Sequence, residues 1–172
     1  MNLMSDIVNT EVGSLSLVCS EKHLIAVEFE DMESRLSAHL KARCGEYRLC
    51  SSKNPLGVSS QLEAYFAGDL SAIDTVSVDP FGTDFQHMVW RALREIPVGE
   101  TVSYGQLAAR LGKPTASRAV GLANSKNPIG IVIPCHRVVG ANGDLTGYAG
   151  GLERKRWLLG HEQVSGQLSL PC

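Results

Sequence analysis

The first half of the chain alternates apolar and polar positions with the two-residue period of β-strands. One such segment begins at Leu15, a second covers residues 25–29, and a third covers residues 73–78. Because every second side chain of a strand points to the same face, each segment is expected to bury one face. We therefore predict a short antiparallel sheet in this half of the chain.

Two stretches between these strands instead carry apolar residues three or four positions apart, which is the spacing of one helix face. Leu36 and Leu40 mark a short helix, and residues 58–66 mark a second helix that Gly68 ends. Strands mixed with helices predict a small N-terminal α/β domain over residues 1–80 of an α+β protein. A breaker-rich joint, Asp79-Pro80-Phe81-Gly82, closes it.

After the joint the period becomes helical. An amphipathic helix follows Thr83, a residue type that caps helix N-termini, and its predicted apolar stripe is Phe85, Met88, Val89, Ala92, Leu93 and Ile96. Ser103 and Gln106 have the spacing of a capping box, and the helix they begin stops at Gly112. A second short helix follows a tight turn, and its predicted inner face is Ala116, Ala119, Val120 and Ala123. This pattern is typical of a helix-turn-helix motif, although a plain helical hairpin would produce it too.

The rest of the chain holds an apolar run, a glycine-rich loop and a last helix. Residues 129–133 are predicted to be a buried extended segment that leads into Pro134-Cys135-His136-Arg137. The loop over residues 140–151 contains five glycines but lacks the Gly-x-Gly-x-x-Gly spacing of dinucleotide sites. The final helix begins at Leu152 and is expected to end just before Glu162.

Composition narrows the class of protein. The chain has 172 residues, of which 44% are hydrophobic and 20% charged, which is the balance of a globular protein. No apolar run approaches the ~18 residues that span a bilayer. The first ten residues lack the basic flank and apolar stretch of a signal peptide. A cytoplasmic protein with no membrane association is expected.

The net charge of −2 is unevenly distributed. Residues 1–81 hold six Lys and Arg against twelve Asp and Glu, whereas residues 82–172 hold ten against six. Residues 101–143 contain no Asp or Glu but five Lys and Arg. An uncompensated positive field suits a polyanion such as DNA, while a chance gap in a weakly charged region is the alternative.

Cys135 is the candidate nucleophile among five irregularly spaced cysteines, which predict neither a disulfide framework nor a metal site. His136 and Arg137 beside it can favour the thiolate, which is the reactive form of cysteine. A carboxylate such as Glu162 could orient the imidazole. In an extended segment adjacent side chains point apart, so a water is expected to join Cys135 and His136. The alternative is a buried, inert thiol.

Ile133-Pro134-Cys135-His136-Arg137-Val138 resembles the active-site signature of the O6-alkylguanine–DNA alkyltransferases, also called methylated-DNA–protein-cysteine methyltransferases. The resemblance extends in motif order over residues 81–163, and more loosely over the N-terminal half. It implies that residues 81–172 form a helical, winged-helix-like alkyltransferase domain with a helix-turn-helix.

The resemblance also implies an activity, which is repair of O6-alkylguanine, and of O4-alkylthymine, in duplex DNA. Cys135 would accept the alkyl group from a flipped base, once per molecule, with His136 and Glu162 as a relay through water. Asn127 would hold the active-site turn, and Tyr104 would lie near the guanine and the rotated phosphate. The further residues implied to contact DNA or the base are Arg118, which fills the gap left by the base, and Ser103, Thr115, Ala116, Ser117, Ala119, Gly121, Arg137, Tyr148 and Ala149.

The implied partner is alkylated double-stranded DNA, bound by a chain that is monomeric in solution, with cooperative binding along DNA left open. No metal or organic cofactor is implied. Two other functions fit parts of the sequence. A cysteine hydrolase would use Cys135 with a histidine, and a winged-helix regulator would bind a specific DNA sequence without using Cys135.

Overall fold

The chain folds into two compact units, in a computed structural model that describes residues 1–166 and side chains as far as Gln163. The first unit contains residues 1–81 and 128–132, and the second contains residues 82–127 together with the described part of the chain from residue 133 onward. Cys172 lies outside the described residues. No helix within the described range is long and apolar enough to cross a membrane.

The first unit is built on a four-stranded sheet with the order β3-β2-β1-β4. Its strands are β1 (Asn2–Thr10), β2 (Gly13–Cys19), β3 (Leu24–Phe29) and β4 (Arg48–Ser51). Strand β2 is antiparallel to both of its neighbours, β1 and β3, as the predicted antiparallel sheet requires. The prediction is wrong for β4, which runs parallel to β1. A helix between β3 and β4 returns the chain to the end where β3 began, so β4 runs in the direction of β3 and β1.

The sequence did not reveal β1 and β4, and their burial explains why. β1 buries only Leu3 and Val8, five positions apart, so it has no two-residue alternation. All four residues of β4 are exposed, as in a short edge strand.

Residues 73–78 do not form the predicted strand. They follow a series of turns in which Asp74 N–H donates to Ser71 C=O and Val76 N–H donates to Ile73 C=O. Ile73 and Val76 are both buried, so their spacing of three reflects the turns rather than a pleat. Only Val78 forms an isolated bridge, to Leu24.

The two helices of this unit are those that the apolar spacing predicts. Helix α1 (Glu33–Cys44) buries Leu36 and Leu40 against a core that includes Leu3 and Ile25. Helix α2 (Val58–Phe66) buries Val58, Leu62 and Tyr65. Gly68, whose φ of 114° favours glycine, follows its end.

The apolar run over residues 129–133 is buried, but it is not the single extended segment that was predicted. Ile129 forms a bridge with Val27 of β3. The chain then turns at Ile131, which has a φ of 71°, and Val132 N–H donates to Gly130 C=O over 2.8 Å. A branched residue with positive φ is strained, and the surrounding packing has to hold it in place.

In its described part, the second unit consists of four α-helices and a two-stranded parallel sheet. The helices are α3 (Asp84–Arg94), α4 (Tyr104–Arg110), α5 (Ser117–Ser125) and α6 (Leu152–Gly166), and the strands are β5 (Val102–Ser103) and β6 (Val138–Val139). Thr83 and Ser103 each form a complete capping box with the glutamine three residues on, so both predicted helix starts are confirmed.

Helix α3 packs on α5 mainly through residues that the apolar stripe predicted, with one exchange. Val89 and Leu93 are buried, but Met88 lies at the surface and Trp90 is buried instead. Trp90 Nε1 donates to Ala123 C=O of α5 over 2.9 Å. An indole N–H usually finds a partner when it is buried, so this bond fixes α3 against the C-terminal end of α5.

Helices α4 and α5 form the predicted helix-turn-helix, joined by residues 111–116 with Gly112 at a φ of 72°. The buried face of α5 is Val120, Ala123 and Asn124, whereas Ala119, predicted on that face, is exposed. Helix α6 also differs from the prediction, because it continues to Gly166 and so contains Glu162. An internal glycine such as Gly160 costs a helix only about 1 kcal/mol, which the burial of Leu158 offsets.

Candidate active site

Cys135 begins a single 3₁₀ turn, Cys135–Arg137, rather than lying in an extended segment. Pro134 has φ −82° and ψ 67°, the geometry of an inverse γ-turn, and Cys135 N–H donates to Ile133 C=O over 2.8 Å. Cys135 is 8% exposed. The side chains of Cys135 and His136 were expected to point apart because the segment was predicted to be extended. Two successive turns take the place of that extended segment.

Two asparagines support this turn from the end of α5. Asn127 Nδ2 donates to Ile133 C=O over 2.7 Å, which is the contact that the predicted turn-holding role of Asn127 requires. Asn124 Nδ2 lies 3.3 Å from Cys135 O and donates to it. Asn124 was not predicted to belong to the site.

Glu162 of α6 joins the turn through two of its side chains. His136 Nε2 lies 2.9 Å from Glu162 Oε2. Arg137 donates to the same carboxylate in a bidentate manner, from Nε to Oε1 and from Nη2 to Oε2, each over 2.9 Å. His136 and Glu162 are fully buried. From the residues alone Glu162 was one candidate partner of His136, whereas the family resemblance implied this pair.

The carboxylate of Glu162 is held in its charged form. Burial by itself would raise the pKa of Glu162, but the charges and hydrogen bonds of His136 and Arg137 lower that pKa well below its usual range. His136 Nδ1 is buried and, among the described residues, has no hydrogen-bond partner. Because Nε2 faces Glu162, Nδ1 is the ring atom that remains to accept a proton.

Arg137 does not fit the predicted role in DNA binding. Its side chain is 6% exposed, and its third contact is from Nη1 to Ile96 C=O over 2.7 Å. A guanidinium buried in this way would have to break a bidentate ion pair before it met a phosphate. The structure instead places Arg137 as a partner of Glu162.

Lys155 of α6 is a site residue that the sequence reading missed. Its side chain is fully buried, and Nζ donates to Val138 C=O over 2.6 Å, Thr146 C=O over 2.9 Å and Gly147 C=O over 3.3 Å. Burial lowers the pKa of Lys155, and the negative charge of a Cys135 thiolate opposes that shift. The ammonium therefore lies where it favours the thiolate form of Cys135.

A signal for Lys155 was present in the sequence. Lys155 stands three residues before Leu158 and seven before Glu162, so all three share one face of α6. A lysine in line with an apolar residue and a carboxylate on one helix face is unusual, because lysine is seldom fully buried without a partner.

Tyr104 begins α4, and its ring lies against α5. A Cβ placed on Gly121 would be 3.6 Å from Tyr104 Cδ1, which is ordinary contact distance. The Tyr104 hydroxyl donates to Thr146 C=O over 3.1 Å, the same carbonyl that accepts from Lys155. Tyr104, Lys155 and the loop after β6 are thus connected at one atom.

The remaining residues predicted to contact DNA differ in exposure. Thr115, Arg118 and Ala119 are exposed, and the partly exposed residues are Ser103, Ala116, Ser117, Gly121, Tyr148 and Ala149. The hydroxyl of Ser103 accepts from Gln106 N–H in the capping box. Most of these residues lie on the helix-turn-helix, and Tyr148 and Ala149 lie in the loop before α6.

The environment of Cys135 differs from that of the other buried cysteine. Burial raises the pKa of the Cys19 thiol to about 11, which keeps it protonated at neutral pH. Cys44 and Cys50 are free thiols on the first unit. Among the described residues, no three His, Cys, Asp or Glu side chains come together as a metal site.

Comparison with known proteins decides the family. Residues 84–164 match the DNA binding domain, and residues 3–80 the ribonuclease-like domain, of 6-O-methylguanine DNA methyltransferase. The chain belongs to this family. Its enzyme class is therefore that of the methylated-DNA–protein-cysteine methyltransferases, which act in DNA repair.

Individual relatives cover nearly the whole chain. The methylated-DNA–protein-cysteine methyltransferase of Salmonella typhimurium is 51% identical over 165 residues, which is 94% of this chain and 96% of the relative. The Mycobacterium tuberculosis OGT crystallised in complex with DNA is 41% identical, with a TM-score of 0.79 over 96% of this chain and 94% of its own. The Pyrococcus kodakaraensis O6-methylguanine-DNA methyltransferase has a TM-score of 0.66 at 27% identity, covering 93% of this chain and 98% of its own. The α+β architecture predicted from sequence is thereby confirmed.

Replacing Glu162 by Gln is expected to change how stability depends on pH. The pKa of Glu162 is lower in the folded chain than in the unfolded chain, so its contribution is present above about pH 4.3 and is lost as pH falls below that value. At pH 7 the variant should lose about 3 kcal/mol of unfolding free energy, because it leaves the buried Arg137 guanidinium without its carboxylate partner. Urea unfolding at several pH values measures both.

The stability difference between wild type and Glu162→Gln should shrink towards pH 3. The matched control is Glu153→Gln, an exposed glutamate of the same helix, which should change little at any pH. A difference that stays constant from pH 7 to pH 3 would contradict the assignment of a buried, ionised Glu162.

Replacing Lys155 by Met keeps an unbranched stem and removes the charge. We expect iodoacetamide to alkylate Cys135 several-fold more slowly at pH 7, with the rate profile displaced to higher pH, because the thiolate loses a neighbouring cation. Mass spectrometry of the peptide containing Cys135 measures the rate. The exposed Lys126, changed to Met, is the control. Identical profiles for the three proteins would show that Lys155 does not act on the thiol.

Proposed function

We propose that this chain repairs O6-alkylguanine in duplex DNA by transferring the alkyl group to its own Cys135. The observation that carries the proposal is the buried sequence of contacts from the Cys135 turn through His136 to Glu162, within the unit that bears the helix-turn-helix. The relatives' name, methylated-DNA–protein-cysteine methyltransferase, supports the reaction class. The DNA complex of the Mycobacterium tuberculosis protein supports the partner.

Activation of the thiol is the first step. The proton of Cys135 passes through a water to His136 Nδ1, the buried ring nitrogen without a partner among the described residues. The imidazolium that results is stabilised by Glu162 at Nε2. The charge of Lys155 favours the thiolate left behind. No metal or organic cofactor takes part.

Transfer is an in-line displacement at the alkyl carbon. A bond forms from Cys135 Sγ to that carbon, the bond from carbon to guanine O6 breaks, and the electron pair leaves with the guanine. The Tyr104 hydroxyl, now bonded to Thr146 C=O, supplies a proton to the base, and Tyr104 regains it from His136 through solvent. The product thioether is stable, so each molecule repairs one lesion.

The target carbon lies inside the duplex, so the nucleotide has to leave the stack before Cys135 reaches it. Arg118 lies exposed in the first turn of α5, where a positive charge opposes the helix dipole and does not stabilise the helix. We assign Arg118 to the gap left by the flipped base. The residues that approach the DNA around it are Ser103, Thr115, Ala116, Ser117, Ala119 and Gly121.

The loop before α6 is assigned to the base itself. Tyr148 and Ala149 are partly exposed there, directly after two carbonyls, of Thr146 and Gly147, that Lys155 holds. Ala149 offers only its backbone N–H to the oxygen of the base. The same loop residues are proposed to accept O4-alkylthymine as a second substrate.

A single chain is proposed to be sufficient for the reaction. The residues assigned to the chemistry, Cys135, His136, Glu162, Asn127 and Tyr104, all belong to one unit of one chain. This is consistent with the predicted monomeric state. The cytoplasmic location also stays a prediction.

The decisive test follows the alkyl group. The protein is incubated with a duplex that carries O6-[¹³C]methylguanine, and the peptides are analysed by mass spectrometry. We expect one labelled methyl group on Cys135 per molecule and no further turnover. The Cys135→Ala variant should bind the duplex and take up no label, while Cys50→Ala should behave as wild type.

Other outcomes would support the other two functions. Continued release of free methyl product beyond one equivalent would indicate a hydrolase. Binding to one DNA sequence without any transfer of label would indicate a regulator.

Replacing Arg118 by Ala separates extrusion from chemistry. Loss of the finger should slow transfer from duplex DNA by about five-fold to 150-fold, because the unstacked state loses a partner worth about 1–3 kcal/mol. Transfer from the free base O6-methylguanine should change less than two-fold. Arg110→Ala, at the exposed end of α4, is the matched control for charge. Equal losses on both substrates would refute the finger role.

A further inference from the structure

Asn124 has a buried side chain for which neither the predicted site nor the proposed reaction accounts. It lies in the last turn of α5 and is 5% exposed. Its Nδ2 donates to Cys135 C=O over 3.3 Å. Its Oδ1 is buried and has no hydrogen-bond partner among the described residues.

Stability alone does not explain an asparagine at this position. A buried acceptor without a partner costs free energy, whereas a leucine of similar shape would bury apolar surface there. The Cys135 carbonyl does not depend on Asn124 for a donor, because Val138 N–H also donates to it at the end of the turn. The Asn124 amide therefore orients a carbonyl that already accepts one hydrogen bond.

The contacts around Asn124 show which element orients the Cys135 carbonyl. Trp90 holds the carbonyl of Ala123, the residue before Asn124, so this end of α5 is fixed. Asn127 donates to Ile133 C=O and Asn124 donates to Cys135 C=O, so each side of Pro134 has one carbonyl held by an asparagine. Pro134 has no N–H of its own. The two side-chain amides thus hold the backbone on both sides of Pro134, which cannot donate a backbone hydrogen bond.

We infer that Asn124 is a positioning residue for alkyl transfer, which ties the Cys135 backbone to the same helix that exposes Arg118. This inference rests on the function proposed above and extends it. Displacement at carbon needs sulfur, carbon and the leaving oxygen in line, and a displacement of about 1 Å can cost on the order of 100-fold in rate. Asn124 sets the direction of Cys135 from α5, so the helix that meets DNA also aims the thiol.

The test compares Asn124→Leu with wild type in four measurements. They are the melting temperature, the affinity for an unmodified duplex, the single-turnover rate on a duplex carrying O6-methylguanine, and the pH profile of Cys135 alkylation by iodoacetamide. The control is Ser125→Ala, which removes a side-chain bond to Leu122 C=O within the same helix turn.

For Asn124→Leu we expect the transfer rate on the duplex to fall ten-fold or more, with melting temperature and DNA affinity unchanged. Iodoacetamide is small and approaches from many directions, so its rate and pH profile should stay within two-fold of wild type. The Ser125→Ala control should match wild type in every measurement. If Asn124→Leu does not fold, Asn124→Ser, which is smaller and cannot reach the Cys135 carbonyl, carries the same expectations.

Two results would overturn the inference. One is a transfer rate within two-fold of wild type. The other is a parallel fall of transfer rate, iodoacetamide rate and melting temperature, which would show a purely structural role. Failure of the proposed function is distinguishable, because wild type would then place no label on Cys135 at all.

Discussion

One buried carboxylate, that of Glu162, organises the second unit. It accepts two hydrogen bonds from Arg137 and faces His136, while Arg137 also bonds the carbonyl of Ile96 after α3. Taking a carboxylate out of water is costly unless every partner is in place. The turn at residues 135–137, the end of α3 and helix α6 are therefore connected through this one buried ion pair.

Helix α6 places opposite charges two turns apart on one face, Lys155 and Glu162. The lysine favours a negative sulfur and holds the loop that leads to Tyr148. In the proposed reaction the glutamate stabilises the imidazole that takes the proton. A neutral thiol has to lose a proton before it can act, and the same helix provides for both products of that step.

In the proposed function, helix α5 has the corresponding role towards DNA, both in recognition and in support of the chemistry. Its outer side exposes Arg118 and Ala119, and its inner end holds the backbone on both sides of Pro134. Recognition and chemistry are thus supported by one nine-residue helix, which Trp90 fixes from α3. Such an arrangement suits the proposed reaction, in which the damaged base moves to a nucleophile that stays in place.

Features that depend only on residues close together in the chain were predictable from the sequence. Capping boxes at Thr83 and Ser103, the apolar spacing of α1 and α2, and the Pro-Cys-His-Arg signature all lie within a few positions, so their chemistry can be read directly. Tertiary structure decided the rest. The direction of β4, the turns at residues 73–78, the burial of Arg137, and the roles of Lys155 and Asn124 depend on partners brought together from elsewhere in the chain. Local periodicity carries no information about such partners, because the same side chain is a surface cation or a buried one according to what folds over it.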